Sequence, residues 1–447
     1  MILLAALGLA GCMATSFDQK PTWVDVPAAS RTVSDAASQP SGDDPGARSG
    51  NRILVAAQIN SQPVLLMLDS GSQALIVWRR TAKKLGWNLP VGGGGLLNGP
   101  VVAGNLTVWN KTAPVSFSVI AAPPGSANMQ ANSNLPRDDM ADVDGILPLN
   151  IFYHNSVQID AADAKAWLLQ ELPPDIKNWT AFRMAKVPLG SYLTPLAFIA
   201  TWPDGYLGEV NIDTGDPRDI TFSPSDWKAW KAQNPNARLT YAWVTEQSMA
   251  GQPEFVTDEE SWTKEFDLGS LKFTEAMVGS NQSFLAKMSI DLGGSYMMLG
   301  LQALKQFDVI VDGVDGLIYF RAKQIPPNIY PHNRLGAVFL ASGLDKPVPM
   351  RKLATIGDDA ALSAKVAPGS PAYEAGIRDG DILLGIDGYD RPTTGLRAML
   401  TMPQFFYQPA GTQLTLHLKR GGQEFTANVI LRDIVGPMPE KTGTDKP

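Results

Sequence analysis

Short apolar runs broken by turn residues govern the chain from Asn51 onward. Ile53-Leu54-Val55-Ala56-Ala57-Gln58-Ile59, the turn Asn60-Ser61-Gln62-Pro63 and then Val64-Leu65-Leu66-Met67-Leu68-Asp69 predict two strands that deliver Asp69 to a strand end. The arrangement recurs further on. Leu196-Ala197-Phe198-Ile199-Ala200 precedes a Pro203-Asp204-Gly205 turn, and Gly208-Glu209-Val210-Asn211-Ile212-Asp213 follows, so Asp213 takes the place of Asp69. A second pair of segments repeats as well: Ile146-Leu147-Pro148-Leu149-Asn150-Ile151-Phe152 leads to Val157-Gln158-Ile159-Asp160, and Met298-Leu299-Gly300-Leu301-Gln302-Ala303-Leu304 leads to Val309-Ile310-Val311-Asp312. The spacing from Pro148 to Asp160 equals that from Gly300 to Asp312 without a gap, which is the mark of a duplicated unit.

Composition narrows the class. With 41 glycines and 34 prolines the chain has the turn content of a β-rich protein, and 447 residues exceed the usual size of one core. A net charge of −7 without clustered Lys and Arg argues against nucleic acid and for protein or peptide partners. Three histidines and a single cysteine leave no Cys/His zinc site and no disulfide, and no His sits beside an obvious nucleophile motif. Any catalysis must therefore rest on carboxylates, and no cofactor or metal is implied.

Residues 2–11 are apolar but too short to span a bilayer, so they read as the core of a signal peptide, and Cys12 follows at once. Leu9-Ala10-Gly11-Cys12 resembles the lipobox of bacterial lipoproteins. That resemblance implies cleavage before Cys12, lipidation of Cys12 and anchoring to a membrane. Met13 offers no retention signal of the Asp type, so the implied place is the outer membrane, facing the periplasm. Residues 13–48, rich in Ser, Ala, Asp and Pro, read as a flexible tether with an r.m.s. reach of about 30–36 Å.

Asp69-Ser70-Gly71-Ser72 and Asp213-Thr214-Gly215-Asp216 carry the chemistry. A D-[ST]-G triplet alone is weak, with roughly 0.2 chance occurrences expected at average usage. Two of them, each after an apolar strand and in register with a later repeat, are far stronger. Two carboxylates about 3 Å apart cannot both ionise, so one proton shared between them supplies a base to activate water and an acid for the leaving nitrogen. Gly71 and Gly215 allow the sharp turn and leave backbone N–H groups to face the carboxylates, while Ser70 and Thr214 offer hydroxyls for bonds across the junction.

Over residues 50–322 the chain resembles aspartic proteases of the pepsin and retropepsin type, particularly bacterial forms with two lobes in one chain. The resemblance implies a pair of pseudo-symmetric six-stranded β lobes, one catalytic Asp from each, a cleft between them, and a flap formed by Gly92-Gly93-Gly94-Gly95 and the strands that follow, to Val108. Two positions depart from the family pattern. Pro148 stands where a glycine is usual, and Asp216 replaces a small residue. If Asp216 faces the dyad, a third carboxylate raises the pair's apparent pKa values; if it pairs with Arg218, it is harmless.

Beyond Gln324-Ile325-Pro326-Pro327-Asn328, the string Ala364-Lys365-Val366-Ala367-Pro368-Gly369-Ser370-Pro371-Ala372 and then Ala375-Gly376-Ile377-Arg378-Asp379-Gly380-Asp381-Ile382 resembles a PDZ domain of bacterial envelope proteases. By that resemblance Leu335-Gly336-Ala337-Val338 forms the carboxylate-binding loop and strand, with Met399 and Leu400 on a facing helix over residues 396–402. Such a groove adds a peptide as an extra strand, unless the chain's own segments fill it.

The expected fold is therefore mainly β: two aspartic-protease lobes and an α+β PDZ-like domain. The expected boundaries are 1–11 signal peptide, 12–48 tether, 49–178 and 179–323 lobes, 324–334 linker, 335–436 PDZ-like domain and 437–447 tail. The expected function is an endopeptidase of the cell envelope. The alternative is an inactive protease fold serving as a peptide-binding or scaffold lipoprotein.

Overall fold

The computed structural model describes residues 24–25, 52–72, 74–89, 100–120, 143–185, 196–203, 205–247, 253–281, 296–324, 332–344, 348–349, 353 and 355–435. Cys12 and residues 92–95 lie outside them. Among the described residues no helix is long and apolar enough to cross a membrane.

Strands β1 (Val24–Asp25), β2 (Leu54–Ile59), β3 (Gln62–Asp69), β4 (Ile76–Trp78), β5 (Val101–Val108), β6 (Lys111–Ile120) and β7 (Gly145–Pro148) form a sheet ordered β1-β6-β4-β7-β3-β2-β5. A further β5–β6 pairing closes β2 to β7 into a six-stranded barrel. The hairpin β2–β3 turns at Asn60 and Ser61, whose positive φ values of 48° and 68° give a tight turn with the twist that flanking strands require. Within the stretch read as a tether, β1 pairs with β6, Val24 opposite Thr112 and Asp25 opposite Lys111.

Next come β8 (Ser156–Asp160), β9 (Lys165–Leu169) and β10 (Thr180–Arg183), followed by β11 (Ala197–Thr201), β12 (Leu207–Asp213), β13 (Ile220–Phe222), β14 (Thr240–Gln247), β15 (Pro253–Leu268), β16 (Leu271–Ser280) and β17 (Tyr296–Gly300). Strands β11 to β17 are ordered β11-β12-β17-β13-β16-β15-β14. The run β6-β4-β7-β3-β2 in the first sheet and β16-β13-β17-β12-β11 in the second follow the chain in the same sequence of steps, so the repeat read from the sequence is also a repeat of topology. Strands β18 (Phe307–Asp312) and β19 (Leu317–Ala322) join the earlier three in a sheet ordered β10-β19-β18-β8-β9, with Ile310 opposite Gln158. Segments from both halves of the repeat thus share one sheet.

The C-terminal module holds β20 (Ala337–Ala341), β21 (Val348–Pro349), β22 (Leu362–Val366), β23 (Ile382–Ile386), β24 (Gln413–Arg420) and β25 (Gln423–Ile430), with short helices at Pro371–Glu374, Gly395–Thr401 and Pro403–Phe406. Its sheet runs β20-β22-β23-β24-β25, while β21 leaves it to pair with β15. The second sheet therefore has eight strands, where six were expected. The cause is the length of β15, 16 residues, which outlasts its pairing with β16 and goes on beside β14 and β21.

Buried apolar side chains from Ile53 to Phe320 form one continuous core. A second core runs from Leu335 to Leu431 and takes in Tyr241 of β14. At about 1.5–3 kcal/mol for each fully buried large apolar side chain, Tyr241 and its neighbours make the contact between β14 and the C-terminal module more than a passing touch.

Candidate active site

Strands β3 and β12 are covered on both faces toward their C-terminal ends: Leu66, Met67 and Leu68 are buried, as are Val210, Asn211 and Ile212. Each strand ends on an aspartate, and the turn after it crosses to the other half. The Ser70 N–H donates to Thr214 Oγ1 at 3.0 Å and the Thr214 N–H donates to Ser70 Oγ at 3.0 Å. In turn Ser70 Oγ donates to the Ile212 carbonyl at 2.7 Å, and Thr214 Oγ1 to the Leu68 carbonyl at 3.0 Å. Four reciprocal bonds between buried groups thus lock the two turns together. Buried polar groups left unpaired here would each cost about 1–3 kcal/mol, so the frame cannot slip cheaply.

The two glycines sit under the opposite carboxylates. A Cβ at Gly71 would lie 2.5 Å from Asp213 Oδ2, and one at Gly215 would lie 2.5 Å from Asp69 Cγ. Only glycine allows the carboxyl groups to approach so closely, and Asp69 and Asp213 hydrogen-bond each other. The Ser72 N–H donates to Asp69 Oδ1 at 2.8 Å, and the N–H groups of Gly215 and Asp216 donate to Asp213 Oδ1 at 2.8 and 3.2 Å. Both aspartates keep partial access to solvent, while Ser70 and Thr214 have almost none.

Burial raises the pKa of both carboxyls. On Asp69 it is countered by the Ser72 N–H, the hydrogen bond with Asp213, the Gly71 N–H and the charge of Arg52. On Asp213 burial is reinforced by the charges of Asp69 and Asp216, which hold it well above the usual carboxylate range. The pair therefore keeps one proton where two ordinary carboxylates would have none.

Asp216 is clamped by Arg218. Nε of Arg218 lies 3.0 Å from each Asp216 oxygen, and Nη2 lies 2.7 Å from Oδ2. Arg218 Nη1 also donates to Asp258 Oδ2 at 2.7 Å, and Ser280 Oγ donates to Asp258 Oδ1 at 2.9 Å. The third carboxylate near the dyad is thus held in an ion pair. The partner glycine of this half is also explained: a Cβ on Gly300 would lie 2.3 Å from the Arg218 carbonyl oxygen, and its N–H donates to the Asp219 carbonyl at 2.7 Å. Pro148, opposite Asp69 in β7, has no N–H, so that bond has no counterpart in the first half.

Arg52 and Asp258 were not legible as site residues. Arg52, two residues before β2, reaches the Gly215 carbonyl at 3.5 Å and Met67 Sδ at 3.2 Å. Its only signal in the sequence was a cation just before an apolar strand.

Asp219, next to this network, is buried, accepts one bond from the Met277 N–H at 2.8 Å and leaves Oδ1 without a partner in the structure. Burial pushes its pKa up to about 7. The unfolded chain releases this proton near pH 4, so between pH 4 and 7 the folded state holds a proton the unfolded state lacks. Stability therefore falls as pH rises across that window, by on the order of 4 kcal/mol for this group alone. Asp219→Asn is expected to raise the urea midpoint clearly at pH 8 and little at pH 5; an equal change at both would contradict the charge argument.

Of the residues expected to bind a peptide, Leu335, Ala337, Val338 and Met399 are all buried, and Gly336 has φ +69°. The PDZ domain family model matches residues 362–396. No curated protein matches the chain. The protein is thus a mainly β chain that carries a PDZ domain.

Proposed function

We propose that this protein is an aspartic endopeptidase in which Asp69 and Asp213 activate one water against a peptide carbonyl. The observation that carries the reading is the reciprocal frame of Ser70 and Thr214, which sets the two carboxyls against each other with a glycine beneath each. In the resting pair one carboxyl keeps the proton and the other carries the charge, since burial raises both. The ionised member takes a proton from water as it attacks. The protonated member donates to the carbonyl oxygen, and the proton gained by the dyad then passes to the leaving nitrogen. Each catalytic Asp belongs to one lobe of a pseudo-symmetric pair, and the matching strand orders support that division.

A PDZ domain fits the recognition of peptide substrates. Lipidation at Cys12 would confine cleavage to the envelope face of the outer membrane. The clamp of Arg218 on Asp216 favours activity over the scaffold reading, since it holds that carboxylate in an ion pair, while its charge still helps to raise Asp213. Incubating the full chain with a peptide library from pH 3 to 8 tests the proposal. Cleavage products are expected by mass spectrometry, and no cleavage at any pH would favour a peptide-binding scaffold.

A further inference from the structure

Among the described residues β20, the edge strand of the PDZ sheet, pairs only with β22. The bond from the Ala367 N–H to the Gly336 carbonyl fixes its phase, so Ala337 and Phe339, opposite Val366 and Ala364, turn their backbone groups toward the edge away from β22. A peptide added along that edge needs the Ala337 carbonyl for its last N–H, and its terminal carboxylate needs the N–H groups of the loop before β20.

Both places are taken by one side chain. Oδ1 of Asn333 accepts the N–H groups of Leu335 and Gly336 at 3.0 and 3.1 Å. Nδ2 of Asn333 donates to the Ala337 carbonyl at 2.8 Å. An amide side chain thus stands in for a carboxylate oxygen with one atom and for a peptide N–H with the other. A turn formed by Asn333 for its own loop would need only the first of these. Asn333 is 2% exposed, and Gly336 beside it cannot carry a side chain, because its φ is +69° and a Cβ would lie 2.2 Å from that of Ser370.

The same residue is bound to the second sheet. Thr240 Oγ1 donates to the Asn333 carbonyl at 2.7 Å, and Asn333 Nδ2 lies 3.3 Å from the Tyr241 carbonyl. Thr240 and Tyr241 open β14, where Ala242 is opposite Asp258, the residue that holds Arg218.

We propose that Asn333 is a built-in occupant of the PDZ carboxylate nest, which a peptide ending in a free carboxylate must displace, and that its displacement releases the start of β14. A carboxylate competes well for the two N–H groups, because bonds to a charged acceptor are about twice as strong as those to a neutral amide. A nest held closed nine-tenths of the time weakens apparent affinity about tenfold. The inference concerns the groove and stands whether or not the dyad cleaves.

The test uses the full chain and a pool of fluorescent octapeptides randomised at the last three positions, with a free or an amidated C-terminus. Asn333→Ala is expected to bind the free-carboxylate pool at least tenfold more tightly than the native chain and to leave the amidated pool unbound. In the native chain, saturating free-carboxylate pool should speed hydrogen exchange in residues 240–247. Should Asn333→Ala fail to fold, Thr240→Val, which loses only the hydroxyl that grips Asn333, is expected to tighten binding in the same direction. Unchanged affinity in the folded variant, or an equal gain for the amidated pool, overturns the proposal.

Discussion

Asparagine in place of Asp213 is expected to lower kcat/KM for peptide cleavage by about 10²–10⁴-fold, the range for loss of a positioned acid or base. Asp69→Asn should do the same, because the chemistry needs one ionised and one protonated group and neither variant can supply both. Both variants should remain folded. The frame of Ser70, Thr214, Gly71 and Gly215 does not use the charge, and burial already disfavours it. At neutral pH the Asp213→Asn chain is expected to unfold at a higher temperature than the native one, since a carboxyl with a raised pKa costs stability as pH rises through that value.

The pH profile gives a second check. Raised values for both members move the one-proton state upward, so the maximum of kcat/KM should lie above pH 4, the range of ordinary carboxylates. A maximum below pH 4, or cleavage that survives both substitutions, would place the chemistry elsewhere.

How much of this was legible in the chain depends on range. Asp69 and Asp213 could be read because each follows a local apolar strand and precedes a tripeptide with its own turn chemistry. Ser70 and Thr214 could be read for the same reason, since residue type alone says what a hydroxyl at a buried turn must seek. Asp258 could not. It lies on a strand of 16 residues whose partners are set by tertiary pairing, and no period in the sequence marks which of its carboxylates turns inward to meet Arg218. The departure of β21 from its own module to pair with β15 is equally hidden, because two residues carry no pattern. Asn333 looked like a loop residue, and its role emerges only when Leu335, Gly336, Ala337 and Tyr241 converge on it.

Arg218 is where the largest loss of stability is expected. Its guanidinium joins Asp216 and Asp258, with side-chain exposures of 10%, 10% and 1% respectively, so removing it leaves two buried carboxylates without their counter-charge. Arg218→Met should therefore cost about 3–5 kcal/mol in urea unfolding at pH 7, the penalty of breaking a buried pair from one side. Asp219, Glu260 and Lys305 also belong to this electrostatic neighbourhood, and burial has pushed Glu260 up to about 7. None can replace Arg218, because two are acids and the Lys305 charge acts on Asp219. The sign of the pH dependence follows. Burial without a counter-charge penalises the ionised form of a carboxylate, so the deficit should be greatest above pH 7 and shrink toward pH 4. Adding Asp216→Asn and Asp258→Asn to Arg218→Met should recover much of it at pH 7, because buried groups then carry no charge. A deficit that is the same at pH 4 and pH 8, and that the added substitutions do not relieve, would mean that Arg218 serves by its packing and that Asp216 is restrained by something other than its ion pair.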